Sequence, residues 1–271
     1  MSQLGIESWI WYSLAIFITG CRYISRSLLF GSVWKLKIDD WIMLFAVATY
    51  TTLIITMNIV ATENSNLLPP GFDISALTQD EVRRRQYGSK MVLVVEQMQI
   101  LTIWTLKTTL LVMYYRLTEK LTENKAVTFL LGYIAVAFVV MEALYFAKWC
   151  RPFHDYWAVP TPNAQCSAAT NHLITNAVFN ISSDLIMLGI GLSLFIRSRL
   201  PAKRKVLLCC IFGLGIFVIL AAILNKYYSF SHPFSVDWTF WYIREASTAM
   251  LVANMPFIWT LLRRMFHLGE F

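Results

Sequence analysis

The sequence predicts an all-α membrane protein, a seven-transmembrane helix bundle with its N-terminus outside and its C-terminus in the cytosol. Three observations predict it. Only 14% of residues are charged against 57% hydrophobic, with a mean hydropathy of +0.55, whereas a soluble domain carries about 25% charged residues. Apolar runs of about 20 residues recur, the length that crosses a hydrocarbon core about 30 Å thick. Basic residues concentrate in alternate connections between these runs. A single membrane domain, 1–271, accounts for the whole length and leaves no room for a separate soluble unit. In that setting the net charge of +7 reports orientation and not nucleic-acid binding.

The spans are read in order at about 6–23, 41–61, 91–115, 126–148, 169–196, 206–227 and 238–262. The first follows MSQLGIES, which lacks the basic n-region of a cleavable signal peptide. The second opens on Asp39 and Asp40 before Trp41, acids that suit the free N–H groups of a helix start; Arg22 and Arg26, at the same membrane face, are their natural partners. The third follows the longest loop, 62–90, where Pro69-Pro70-Gly71 ends regular structure. In that loop Thr78 and Glu81 have the spacing that caps a short surface helix. The loop reads as a solvated lid or as a ligand gate. Cys150 and Cys166 flank the connection between the fourth and fifth spans, on the oxidising side, where a disulfide between them would pin those spans. His154, beside Asp155, reads as a loop residue. Cys21, Cys209 and Cys210 are small apolar residues in or near spans.

Orientation comes from Lys and Arg. The connections after spans one, three and five, with the C-terminal segment, hold fourteen, among them Arg22, Lys35, Arg116, Arg199 and Arg264, against eight on the other side. The positive-inside rule puts the fourteen in the cytosol.

Functional residues are sought among the polar groups inside the spans, because each costs a few kcal/mol there. Span five reads NHLITNAVFNISSDLIMLG, with His172, Asn176, Asn180 and Asp184 at four-residue steps. Such steps keep side chains on one helical stripe, which must face other helices or a cavity. Counted from outside, Lys107 and Asp184 both lie roughly 22–24 Å deep. Equal depth and opposite charge make them a pair, read either as a structural bridge or as the floor of a pocket. Nearer the outside lie Glu96, Glu142 and Glu245, roughly 8–10 Å in, level with His172 and Asn176. This layer reads as a water-accessible vestibule with Glu245 partly matched by Arg244 or by Tyr and Trp donors. No His-x-x-x-His spacing supports a metal site.

Several segments resemble the fungal rhodopsin-like integral membrane family of the satratoxin-cluster type, related to fungal surface-sensing seven-span receptors. The segments are Arg22 and Arg26 ahead of Asp39-Asp40-Trp41, Lys107 with Tyr115-Arg116-Leu117, and Cys150-Arg151-Pro152 with Trp157 and Cys166. They continue with Asn180 to Asp184, Pro201 to Lys205 ahead of Phe212-Gly213, and Trp241, Glu245 and Pro256. Three positions depart from that pattern: Gly191 where proline is frequent, Asn225-Lys226 where arginine is frequent, and Asn254 where cysteine is frequent. Retinal is not expected, because a Schiff base needs a lysine in span seven and 238–262 contains none.

Two functions are in view. The first is a membrane protein of a fungal secondary-metabolite pathway, in the endoplasmic reticulum or the plasma membrane. Its partners would be the lipid bilayer, a small lipophilic metabolite and pathway enzymes at the membrane. It would bind the intermediate and catalyse a cyclisation or isomerisation by acid–base chemistry without a cofactor. Glu245, Asp184, Lys107 and His172 are the candidate catalytic residues. Glu96, Glu142, Asn176, Asn180 and Trp241 would line the pocket. The second is a G-protein-coupled-like receptor for a small molecule or surface cue. A transporter is less expected, since no internal repeat is visible.

Overall fold

The computed structural model describes residues 2–30, 36–69, 71–73, 77–161, 163–197, 202–235 and 237–265. Lys35, Pro70, Ile74, Ser75, Arg199 and Pro201 lie outside them, as do the side chains of Arg197, Lys203, Arg204, Lys205, Cys210, Arg263 and Arg264. Among the described residues the chain is helical throughout, without strands. Its helices are α1 (Gln3–Phe30), α2 (Ile38–Val60), α3 (Gln79–Thr118), α4 (Asn124–Leu144), the single turn α5 (Ala164–Ser167), α6 (Thr170–Arg197), α7 (Ala202–Ser231) and α8 (Asp237–Met265). The seven long ones pack in a closed ring in chain order, with α8 back against α1, and α3 and α8 also meet across its middle.

Among the described residues five helical stretches are long and apolar enough to cross a membrane: Gln3–Leu28, Ile38–Val60, Asn124–Trp149, Thr170–Leu194 and Ile211–Ser231. Their outward faces carry exposed Phe17, Phe129, Val139 and Val178, an apolar surface of the kind that water does not tolerate. The two long helices outside this set, α3 and α8, are the ones that meet in the middle. They carry Glu96, Gln99, Lys107, Glu245, Ser247 and Asn254 on buried positions. Fewer of their faces meet the surroundings, so they do not need to be greasy all round.

Helix α3 differs from its expected form. The expected short surface helix and third span are one continuous helix of 40 residues, about 60 Å long at 1.5 Å per residue. Its cap is as expected. The Glu81 N–H donates to Thr78 Oγ1 at 3.3 Å, and the Thr78 N–H donates to the Glu81 carboxylate at 2.8 Å. The Thr78 N–H first, and then the Thr78 hydroxyl, which donates to Glu81 Oε2 at 2.9 Å, hold the Glu81 carboxyl below its ordinary range. The helix runs on because nothing between Gln79 and Met91 breaks it: its one glycine, Gly88, is needed for a close approach. A Cβ there would meet the Asn64 carbonyl oxygen at 2.2 Å. The α2–α3 connection therefore folds down onto α3, and the Asn66 N–H donates to Ser89 Oγ at 2.8 Å.

The two ends of the bundle are built differently. At one, α4 passes through a π-helical turn (Tyr145–Trp149) to Cys150, which is disulfide-bonded to Cys166. The Tyr156 hydroxyl, pushed up to about 12 by burial, donates to the Tyr145 carbonyl at 2.8 Å. Asn66 Nδ2 donates to the Tyr156 carbonyl at 3.0 Å and ties the α2–α3 connection to this cap. At the other end the expected acid–arginine group is present, with Arg22, Asp39 and Asp40 fully enclosed. Arg22 donates to Asp40 Oδ1 at 3.0 Å, to Asp39 Oδ2 at 2.9 Å and to the Ala253 carbonyl at 3.3 Å. Arg26 and Arg116 also bond Asp39. The Phe257 ring centroid lies 3.9 Å from the Arg22 guanidinium carbon.

Candidate functional site

A cavity of about 500 Å³ opens at the disulfide end. The α2–α3 connection (Asn66, Phe72), α3 (Arg85, Glu96), the disulfide cap (Tyr145, Tyr156, Cys166), the start of α6 (Leu173), the end of α7 (Phe230), the α7–α8 connection (Phe234) and the start of α8 (Trp238) line it. Glu96 is the buried acid of this wall, 7% exposed. Its Oε1 accepts from the Tyr242 hydroxyl at 2.6 Å. Its Oε2 accepts no hydrogen bond, and His172 Nε2 stands 3.7 Å from it. The imidazole is held edge-on between Tyr145 and Trp149, with centroid distances of 4.5 and 5.5 Å. A carboxylate and an imidazole at this spacing can exchange a proton after a small approach.

Behind this wall a polar chain runs along the bundle interior. Asn180 Nδ2 donates to Glu245 Oε1 at 2.7 Å, and Asn225 Nδ2 donates to Glu245 Oε2 at 3.0 Å. Lys226 is buried at 6% exposure, with its ammonium 5.1 Å from the Tyr242 ring centroid. Lys107 Nζ donates to the Asn180 carbonyl and to Ser183 Oγ, both at 2.7 Å, and pairs with Asp184 Oδ1 at 2.9 Å. Asp184 Oδ2 accepts no hydrogen bond. Lys107 and Asp184 line a second, smaller crevice of about 70 Å³ with Tyr114, Phe212 and aliphatic side chains. Gly191 lets α6 approach there, since a Cβ would meet the Tyr114 hydroxyl at 3.0 Å.

The structure thus brings together Glu96 and His172, Asn180 and Glu245, and Lys107 and Asp184. Asn176 is buried at 6% exposure on the same α6 stripe. Three readings from the sequence need correction. Arg244 does not match Glu245; its guanidinium turns the other way and bonds Glu7 on α1 at 2.7 Å, because neighbouring residues on a helix point about 100° apart. Trp241 lies on neither cavity wall; it stacks on Tyr228 at 6.2 Å and on Arg244. Glu142 is only half-buried, its Oε1 accepts no hydrogen bond, and it lines neither cavity. Tyr242, Asn225 and Lys226 are site residues that depth counting missed. The signal was present at Asn225-Lys226, which departs from the family pattern. Asn254, the other changed polar position, is structural: its Nδ2 donates to Thr19 Oγ1 at 3.0 Å and to the Met250 carbonyl at 2.8 Å.

Among the described residues no cluster of His, Cys, Asp and Glu has the geometry of a metal site. Among curated proteins and among solved structures, none matches the chain. The family model of the fungal rhodopsin domain matches residues 21–264. That stretch contains the arginine–aspartate cluster, the disulfide, both cavities and the polar chain between them, and with five membrane-capable helices it fits an integral membrane protein. The chain belongs to the fungal rhodopsin domain family.

Proposed function

We propose that all seven long helices cross the bilayer, N-terminus outside and C-terminus in the cytosol, and that the protein binds a small lipophilic molecule in the cavity at the disulfide end. Support for the topology is the excess of fourteen Lys and Arg over eight and the disulfide, which suits the oxidising side. One observation carries the binding: the cavity of about 500 Å³ combines aromatic walls with a single buried acid. Ligand sites occupy about 300–1,000 Å³ and pair apolar walls with a few placed polar groups.

The molecule is an intermediate of a fungal secondary-metabolite pathway, and the chemistry is acid–base. Glu96, as the carboxylate, takes a proton from one carbon of the bound molecule and returns it to another. His172, behind the wall and 3.7 Å from that carboxylate, shares the proton with Glu96 between the two steps. The product is an isomer, so no co-reactant is consumed. Glu245, Lys107 and Asp184 are positioning residues on this reading, behind the wall. Disruption of the gene, followed by metabolite profiling, tests it. A lipophilic intermediate should accumulate and its isomer disappear. The wild-type chain should restore the profile and Glu96→Gln should not.

One observation favours a receptor instead. Helix α3 carries Glu96 in the cavity and Arg116 in the far ion cluster, about 30 Å apart on one rigid element. A ligand that shifts α3 would be felt at the other end. An unchanged metabolite profile with a lost cellular response would select this reading.

A further inference from the structure

We propose that the molecule taken by this cavity is a lipophilic organic cation, an amine that carries its positive charge against Glu96. The inference rests on the binding reading above and names its ligand class.

Three independent features point to it. The first is the unused oxygen. Glu96 is 7% exposed, and Tyr242 satisfies only its Oε1. Oε2 is buried without a hydrogen bond on the wall of an open cavity. A desolvated carboxylate oxygen without a donor is costly, and a charged donor is the strongest remedy.

The second is the balance of charge. Glu96, Glu245 and Asp184 are three carboxylates inside the bundle, and Lys107 and Lys226 are two buried ammonium groups. Lys107 is bonded to Asp184 at 2.9 Å, and Lys226 lies 5.1 Å from the ring of Tyr242, whose hydroxyl bonds Glu96. With His172 neutral, one negative charge is left over. A neutral ligand leaves it uncompensated, an anion doubles it, and a monocation cancels it. Arg85 does not serve, because it sits at the rim, where Nη1 donates to the Ser65 carbonyl at 3.0 Å and the guanidinium lies against Phe72. A proton on His172 is the competing source of charge.

The third is the wall itself. Phe72, Tyr145, Tyr156, Phe230, Phe234 and Trp238 contribute to it. Ring faces attract organic cations whose weak hydration makes desolvation cheap.

The experiment uses the full chain in zwitterionic lipid nanodiscs and three tritiated probes: phenethyl-trimethylammonium, its neutral carbon isostere, and 3-phenylpropionate. The cation should bind about tenfold tighter than the isostere, and the carboxylate weakest. In Glu96→Gln the cation should lose its advantage. In His172→Gln the advantage should grow, since the competing side chain beside Glu96 is gone. If Glu96→Gln does not fold, Glu96→Met replaces it, since it removes the charge at similar volume. An isostere that binds as well as the cation overturns the inference while leaving a lipophilic pocket in place. No binding of the cation, or a cation advantage that survives in Glu96→Gln, also overturns it. The metabolite profile is read separately, so failure of the ligand class and failure of the pathway role are distinguishable.

Discussion

The two ends of the bundle bury charge in opposite ways. At one, Asp39 is met by three arginines and Asp40 by two, and Phe257 covers Arg22 and Arg26. Those groups satisfy one another and tie α1 and α2 to α3 and α8. At the other end, Glu96 Oε2, both nitrogens of His172 and Asn180 Oδ1 are buried without hydrogen bonds, and a cavity reaches Glu96. Both arrangements cost desolvation. Matched charge returns that cost as helix packing, whereas unmatched charge beside a cavity is the mark of a binding site. The difference teaches where to look: the closed end explains why the fold holds, and the open end is where the proposed ligand would sit.

The largest expected effect breaks the closed end. Arg22→Met leaves Asp39 and Asp40 buried with too few partners, and removing one member of such a group costs about 3–5 kcal/mol. Thermal unfolding in detergent should show it as a large loss of stability. Glu96→Gln, by contrast, keeps an acceptor for the Tyr242 hydroxyl and should cost about 1 kcal/mol or less. Equal losses from both variants would erase the distinction between the ends. Next in size is the disulfide. Cys150 and Cys166 are 16 residues apart, a loop for which cross-linking contributes about 3 kcal/mol. Replacing both with serine should lower the unfolding temperature by the same amount as reducing agent does on the wild type, and reducing agent should then do nothing further.

Much of the closed end was legible in the sequence, and less of the open end. Helical rise fixes depth, so the Lys107–Asp184 and Arg22–Asp39–Asp40 partnerships could be read from counting residues. Rise does not fix the rotation of one helix against another. That is why the sequence offers Arg244, or Tyr and Trp donors, for Glu245, whereas Arg244 bonds Glu7 and the donors to Glu245 are Asn180 and Asn225. The cavity was less legible still. It depends on the α2–α3 connection lying against α3, a tertiary contact that a single small residue permits.

That contact gives the third prediction. In Gly88→Ala the new methyl group would sit 2.2 Å from the Asn64 carbonyl oxygen. Backbone must move, at a cost of about 1–3 kcal/mol. The displaced segment forms one wall of the cavity, so the variant should weaken ligand binding and raise hydrogen exchange at residues 62–69. The ion cluster at the far end should keep its protection. Uniform loss of protection along the chain would mean that the open end does not yield separately.

The smallest effect belongs to the α3 cap, and pH separates its parts. The Glu81 carboxyl is held below its ordinary range first by the Thr78 backbone N–H and then by the Thr78 side chain. A carboxyl with a lowered folded value contributes stability above its unfolded value and loses it as pH falls through the folded one. Protection of the amides at 79–85 should therefore drop in acid, below the ordinary carboxylate range. Glu81→Gln should flatten that dependence, because nothing is left to protonate. Thr78→Ala keeps the backbone donor and loses only the hydroxyl, so its drop should shift to higher pH without reaching the ordinary carboxylate value. It should also lose protection at neutral pH, because the Glu81 N–H no longer has Thr78 Oγ1 to donate to. Arg85 sits on this first stretch of α3 and at the rim of the cavity, while Arg116 lies near the other end of the same helix, in the ion cluster. An acid-driven fraying of α3 should thus loosen the rim and leave Arg116 and its aspartate untouched. A cap variant that disturbs both would show that the long helix transmits between the ends, which is what a receptor requires and an isomerase does not.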